Sequence, residues 1–447
     1  MRPNIVFFFS DQQRWDTLGC NGQSMDVTPC LDRFAAQDAT NFSACFTPQP
    51  VCGPARAMLQ TGLYPTQVGC YRNAIPLPLG QRTLARMLRD AGYNVGYVGK
   101  WHLASDEGTN RYETAAVPPE RRGGYNGFWR AADVLEFTSH GYGGYIYDEN
   151  GARIDFDGYR TDCITDEAVR FIEQYDSDKP FFLFVSHIEP HHQNDRGDYE
   201  GPRGSAEKFG GFVPPPDLKK GEGDWERFYP DYLGCCNALD RNFGRVVDAL
   251  KTRGFYGDAM VVYTSDHGCH FRTRTGEIAP GGYDDYKRNS FDGTLHVPLL
   301  IKGPGFKPGE RQEKVVSLID LPRTLLAMAG AKAPKELQGR PLQECCSESW
   351  EQAVYIQISE SYVGRAVRTE RYKYVVHAPG RHPWNDSGSS VYAEKYLFDL
   401  QKDPLETHNL LGCAEYDGVR RGLRERLMRF AAEAEEGDIC IQNASAN

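Results

Sequence analysis

Five short apolar runs, Asn4–Ser10, Val95–Gly99, Pro180–His187, Ala259–Ser265 and His296–Lys302, are spaced along the chain with helical patterns between them. This alternation constrains the fold most. Runs that are apolar throughout predict strands buried on both faces, and helices between them predict crossovers. The expectation is an α/β domain around a mainly parallel sheet. Thr83–Asp90, Asp166–Tyr175, Cys235–Thr252 and Asp320–Ala329 carry apolar residues at helical spacing. Residues 104–130 and 195–230, rich in Gly, Pro, Tyr and charge, predict long loops that shape a site. The pattern changes near Ala331–Pro341. Four strand-like pieces follow (Ala353–Ser359, Gly364–Arg368, Tyr372–His377, Lys395–Asp399), then a helix over Tyr416–Glu435. Strands without intervening helices predict a small antiparallel sheet. The expected domains are 1–345 and 346–447.

Several function classes are disfavoured. The chain carries 61 acidic against 51 basic side chains, a formal charge of −10, and has no Lys/Arg-rich block. That balance argues against a nucleic-acid or anionic-membrane partner. Its longest apolar runs, Ile5–Phe9 and Phe181–Val185, fall far short of the roughly 20 residues of a membrane span. Met1-Arg2-Pro3-Asn4 leads directly into the first strand, so no signal peptide and a cytoplasmic location are expected. None of the thirteen cysteines sits in a C-x-x-C pair, which predicts reduced thiols.

Ligands of open α/β sheets bind beyond the carboxyl ends of the strands. Here four strands run into polar clusters: Asp11-Gln12-Gln13, Lys100-Trp101-His102, His187 with Glu189-Pro190-His191-His192, and Asp266-His267. Asp11 and Asp266, with Gln12 and His267 beside them, suit a hard dication, Ca²⁺ or Mg²⁺, and the imidazole leaves room for Mn²⁺. The plainer use of either aspartate is a cap or turn. In Val51-Cys52-Gly53-Pro54-Ala55-Arg56, a tight turn enters a helix whose start favours an anion and a thiolate at Cys52. The residues by themselves lead to a reactive side chain facing an anion site.

Cys52-x-Pro54-x-Arg56 with Thr61-Gly62 resembles the modification motif of type I sulfatases, in the alkaline phosphatase superfamily. Gly92-Tyr93 with Gly99-Lys100-Trp101-His102 is similar to their second motif. Pro3-Asn4-Ile5-Val6, Pro190-His191, Asp266-His267-Gly268 and Lys287 ahead of Val297-Pro298-Leu299 extend the resemblance. Arg365-Ala366-Val367-Arg368-Thr369, Tyr372-Lys373-Tyr374 and Leu397-Phe398-Asp399-Leu400 continue it to the C-terminal part. The implied fold is a large, mostly parallel mixed sheet flanked by helices, with a small C-terminal α+β domain.

By this resemblance a separate maturase oxidises Cys52 to formylglycine, whose hydrate attacks the sulfur of a sulfate ester. Covalent catalysis of this kind divides a difficult hydrolysis into two steps. Asp11, Gln12, Asp266 and His267, with residue 52, hold the metal, by expectation Ca²⁺. Arg56 and Lys100 orient the diol, His102 is the base that releases sulfate, and His191 and Lys287 contact the ester oxygens. Many relatives have aspartate at Gln12 and asparagine at His267, so the metal is less fixed here. Arg72, Asn73, Trp101, His192, His270 and Arg272 are the expected substrate contacts, with Glu189 as a further one. Their mixture of aromatic and polar groups suits a sugar. The expected activity is exo-hydrolysis of sulfated carbohydrate, glycosaminoglycan or mucin fragments. An arylsulfatase, a phosphonate monoester or phosphodiester hydrolase, and a non-catalytic glycan-binding protein stand as alternatives.

Overall fold

The computed structural model describes residues 2–219, 221–275 and 278–444. Ile5–Ser10 and Phe181–Ser186 are buried at every position, as strands covered by helices on both faces must be. They pair in parallel, and Met260–Ser265, Asn94–Lys100 and Phe128–Ala132 extend the parallel block on either side. Five further strands complete a sheet of ten: the antiparallel hairpin Tyr142–Tyr147 and Arg153–Tyr159 at one edge, and at the other Leu299–Lys302, antiparallel to both neighbours, then Thr40–Phe42 with Arg311–Gln312 parallel to it.

Alternate side chains of the central strands enter two cores. Phe7, Phe9, Phe184 and Val262 join Trp101 and Trp129 on one face. Val6, Phe8, Val185 and Tyr263 meet Leu239, Phe243 and Val246 on the other. Each such side chain contributes roughly 1.5–3 kcal/mol on burial.

Three sequence expectations need correction. The run His296–Lys302 is not one parallel strand. Pro298 lacks a ladder donor, so His296–Val297 pairs with Cys45–Phe46 in a separate three-stranded sheet, while Leu299–Lys302 joins the main sheet antiparallel. Helix Trp225–Thr252 begins ten residues before the expected start and runs through Pro230. The lost N–H is offset by apolar packing of Trp225, Phe228, Tyr229 and Tyr232. The expected loop over 104–130 ends in the strand Phe128–Ala132.

In the C-terminal part, Ala353–Ile358, Gly364–Thr369, Tyr372–His377 and Val391–Asp399 form an antiparallel sheet, with Cys440–Gln442 added in parallel. One face packs on helix Asp417–Glu433 through Leu423 and Leu427. The other shares an apolar cluster with Phe46, Leu295 and Val315. That contact seats the small sheet against the three-stranded sheet and carries two of its loops to the site. Among the described residues no helix is long and apolar enough to cross a membrane.

Candidate active site

The register Ser10↔Ser265, Phe9↔Ser186, Gly99↔Ser186 and Lys100↔Ala132 aligns five strand ends. Asp11, Asp266, His187 and Asp133 therefore leave the sheet along one edge. Helix Cys52–Thr61 points its N-terminus at this edge, and all ten of its residues are buried. Cys52 and Arg56, one turn apart, share a helix face, which explains the spacing of the motif. Arg56 donates to Asp11 Oδ2 (3.0 Å), Ser186 Oγ (2.7 Å) and the Lys100 carbonyl (2.9 Å), and Lys100 Nζ donates to Asp11 Oδ2 at 2.6 Å. Gly99, at φ +99, makes this approach feasible, because a Cβ there would lie 1.9 Å from the Ser186 carbonyl oxygen. Burial would raise the Asp11 carboxyl, but Lys100, His191 and Arg56 outweigh it and hold it well below the usual range.

The thiol behaves otherwise than its place at a helix start predicts. Burial and the adjacent Asp11 push Cys52 up to about 12, against the pull of Lys287 and Lys100. Desolvation outweighs the helix dipole, so an unmodified Cys52 is a neutral thiol.

Around it, ligand atoms of Asp11, Cys52, Asp266 and His267 all lie within 4.8 Å of one another. Asp266 Oδ1 accepts the N–H groups of Gln12 and His267, both at 2.9 Å, whereas Oδ2 is buried without a hydrogen-bond partner. Burial and the facing Asp11 push Asp266 up to about 7. His267 Nδ1 lies 3.0 Å from the Gly268 carbonyl and donates to it, which leaves the Nε2 lone pair towards Cys52 Sγ, 3.2 Å away. Burial and Lys287 lower His267 to about 3, so it is neutral. Two facing carboxylates, one with an orphaned oxygen, and a neutral imidazole fit a hard-to-borderline dication. Gln12, the further expected ligand, stands beside this cluster with its backbone N–H on Asp266 Oδ1. Its Oε1 accepts the His192 N–H (3.1 Å) and its Nε2 donates to the Asp285 carbonyl (3.2 Å), so its amide ties two loops together.

Beside this cluster Lys287 Nζ donates to His191 Nε2 (2.6 Å) and pairs with Asp285 Oδ2 (3.0 Å), while His191 Nδ1 donates to the His192 carbonyl (2.6 Å). Burial and Lys287 keep His191 well below its ordinary value. Burial opposes the charge on Lys287, yet Asp285 raises its pKa above the usual range. His102, at φ +59, has a buried Nδ1 without a partner, and burial with Lys100 and Arg56 keeps the ring neutral. A pocket of about 220 Å³ opens in front of Cys52, Lys100, His102, His191 and Lys287.

The sulfatase family model matches residues 3–331, and the model described as N-sulphoglucosamine sulphohydrolase, C-terminal, matches residues 281–433. The chain belongs to the sulfatase family. It is a sulfuric ester hydrolase. An ulvan-active sulfatase of Formosa agariphila is 30% identical over 97% of this chain and 81% of that protein. An N-acetylglucosamine-6-O-sulfatase of Bacteroides thetaiotaomicron is 25% identical over 98% and 88%. A solved structure in complex with its substrate D-glucosamine-2-N,6-O-disulfate shares the fold, with TM-score 0.76 at 23% identity over 98% of this chain and 99% of that one.

Several expected substrate contacts of this sulfatase lie elsewhere. Trp101 is fully buried in the core, edge-on to Tyr97, with its indole N–H on the Arg121 carbonyl at 3.1 Å. His192 packs against Tyr286 and Tyr199, its Nδ1 2.8 Å from Asn194 Oδ1. Trp101 follows Lys100 at the end of a strand, where successive side chains alternate faces, and His192 follows His191 in a turn closed by the His191 N–H on the Ile188 carbonyl at 2.9 Å. His270 binds Asp284 at 2.8 Å and lines another cavity. Arg272 lies 3.5 Å from Asp224 and over the Tyr286 ring. Glu189 is bound by Arg160 at 2.8 Å. Arg72 pairs with Glu107 (2.7 Å) and covers the ring of Trp384, so it supports a pocket wall. Asn73 lines the pocket and accepts the Gly53 N–H at 2.9 Å.

The sequence reading missed Asp285, Arg288, Glu136, Trp384 and Glu360. The first four line the pocket. Glu360, from the small sheet, accepts the Asn73 N–H at 2.6 Å and is bound by Arg288. Asp285 and Arg288 flank Lys287, and that proximity was a usable signal. Trp101→Phe is expected to cost about 1–3 kcal/mol through lost packing and the lost hydrogen bond, with KM for any substrate unchanged. Thermal melting and steady-state kinetics together check this, and a raised KM would return Trp101 to the binding surface.

Proposed function

We propose that this protein is an exo-acting sulfatase of sulfated carbohydrate that works through a formylglycine made from Cys52. The observation that carries the reading is the convergence of Asp11, Asp266 and His267 on Cys52 at the head of a helix, with Lys100 and Arg56 on the same carboxylate. Asp11, Asp266, His267 and residue 52 would hold the dication, by proposal Ca²⁺. Bound there, the ion would supply Lewis-acid stabilisation of charge on the sulfuryl oxygens, and the hydrated aldehyde would supply the nucleophilic oxygen.

The chain's own groups do the remaining work. Lys100 and Arg56 keep Asp11 ionised and present positive charge to an anionic ester. Lys287 shares its proton with His191 Nε2, so this pair can protonate the leaving alcohol at either nitrogen. His102, neutral and with a free Nδ1, can take a proton at that atom as sulfate departs. The pocket, smaller than the roughly 300–1,000 Å³ usual for drug-sized ligands, suits a single terminal ring, which supports exo action. The names of the relatives that act on ulvan and N-acetylglucosamine sulfate support a carbohydrate.

Enzyme co-produced with a formylglycine-generating maturase is expected to release sulfate from sulfated monosaccharides. Its rates on phosphonate and phosphodiester analogues should be at least about a hundredfold lower, because these equally monoanionic esters carry an organic substituent where the sulfuryl group presents a bare oxygen to Lys100 and Lys287. Faster turnover of the phosphorus esters would transfer the assignment to that class. Mass analysis of the peptide containing residue 52 checks the modification itself.

A further inference from the structure

The pocket must accept a sulfate, yet three carboxylates line it: Asp285, Glu113 and Glu136. Asp285 is neutralised by Lys287 (3.0 Å) and Arg288 (3.3 Å). Glu113 and Glu136 have no ion pair among the described residues. Unpaired acids in an anion-binding pocket are costly unless they recognise something.

Glu136 is held in place from both ends. It lies on the short helix Leu135–Thr138, just after the strand Phe128–Ala132. The Asn194 N–H donates to its Oε1 at 2.9 Å, and Gln193 Nε2 donates to its backbone carbonyl at 3.0 Å. The segment that carries His191 thus fixes this carboxylate relative to the reacting groups. Oε2 receives no hydrogen bond from the described residues. The turn Arg111–Glu113 packs on the same short helix and brings the second carboxylate to that wall.

We infer that this wall selects the sugar: Glu136, backed by Glu113, accepts hydrogen bonds from free hydroxyls of the ring that bears the scissile sulfate, and excludes rings with a second anionic group. The substrate class is a singly sulfated, otherwise uncharged sugar residue, in contrast to a uronic acid or a doubly sulfated ring. This rests on the sulfatase reading above and narrows it. The sulfate is drawn to Lys100 and Lys287. Another sulfate or carboxylate on the same small ring would then lie against Glu136, which burial disfavours as an ion and which the more distant Lys100 and Lys287 only partly offset, so a second anion there adds like-charge repulsion in a partly dry pocket. Hydroxyl groups there gain charge-assisted hydrogen bonds.

The test compares kcat/KM of aldehyde-bearing enzyme for a monosulfated N-acetylhexosamine and for the same ring with a second sulfate. The wild type is expected to prefer the monosulfated ring by at least about tenfold. Glu136→Gln keeps a hydrogen-bond acceptor but removes the charge, so the preference should shrink about tenfold, to near parity. A merely structural role would depress both substrates in parallel and leave the ratio fixed. Glu113→Gln is expected to shift the ratio in the same direction by a smaller factor, and serves should Glu136→Gln fail to fold. A wild-type preference for the doubly charged ring, or a ratio unmoved in the folded variants, overturns the inference while the sulfatase reading stands. Aldehyde-bearing enzyme that is inert on every sulfated sugar overturns both.

Discussion

Cys52→Ala is expected to lower kcat about a millionfold, the scale seen when a covalent nucleophile is removed from a preorganised site. No neighbour can replace it. Both ionised oxygens of Asp11 already face Arg56, Lys100 and the thiol, and His191 is committed to Lys287 and the His192 carbonyl. The fold should persist, because alanine retains the helix start and removes only one buried sulfur. The same reasoning reaches the unconverted wild type. The unconverted thiol is pushed up by burial and Asp11, and a thiol lacks the second hydroxyl with which a hydrated aldehyde releases the bound sulfate. Protein that keeps the cysteine should therefore be nearly as inactive as the alanine variant. Measured kcat should rise linearly with the fraction of residue 52 found as aldehyde by peptide mass analysis, through the origin. Cys52→Ala with more than about 1% of wild-type turnover would place the nucleophile elsewhere.

What the sequence revealed, and what it hid, follows from how locally each feature is encoded. The central strands were legible because burial on both faces writes an unbroken apolar run, as in Phe181–Ser186. The edge hairpin Tyr142–Tyr147 and Arg153–Tyr159 was hidden, since its half-exposed residues and glycines look like loop. Asp11, Cys52, Lys100 and Asp266 could be singled out because each stands at an element end, where local pattern and topology agree. Trp101 and His192 misled because polarity and proximity to a motif do not specify direction. The face parity of a strand end sends Trp101 away from the pocket, whereas the turn that carries His191 and His192 sets their directions through its own hydrogen bonds. Glu360 and Trp384 reach the site only because the small sheet docks beside the three-stranded sheet through Phe46, Leu295 and Val315. No local pattern encodes that docking.

The two aspartates offer the sharpest test of the metal assignment, because their substitutions are expected to change the stability of chelator-treated protein in opposite directions. Asp11 is the carboxylate to which Arg56 and Lys100 are bound, at 3.0 and 2.6 Å. Asp11→Asn leaves two buried cations without their counter-charge and should cost about 3–5 kcal/mol. Asp266 is the unsatisfied partner. Its Oδ2 is buried with no hydrogen bond, and burial and the facing Asp11 outweigh the attraction of Arg56, which stands 3.8 Å away. Asp266→Asn keeps an Oδ1 to accept from Gln12 and His267, removes the repulsion, and places a donor where an orphaned acceptor stood. Without metal this variant should be more stable than the wild type by about 1–3 kcal/mol. A dication reverses the order, since only the wild type retains both charges that bind it. Adding metal should raise the melting temperature of the wild type and leave that of Asp266→Asn almost unmoved, while turnover is lost in both variants. Two carboxylates that served only the fold would show no such inversion. Equal destabilisation by both substitutions, or full turnover after chelation, would remove the dication from this site.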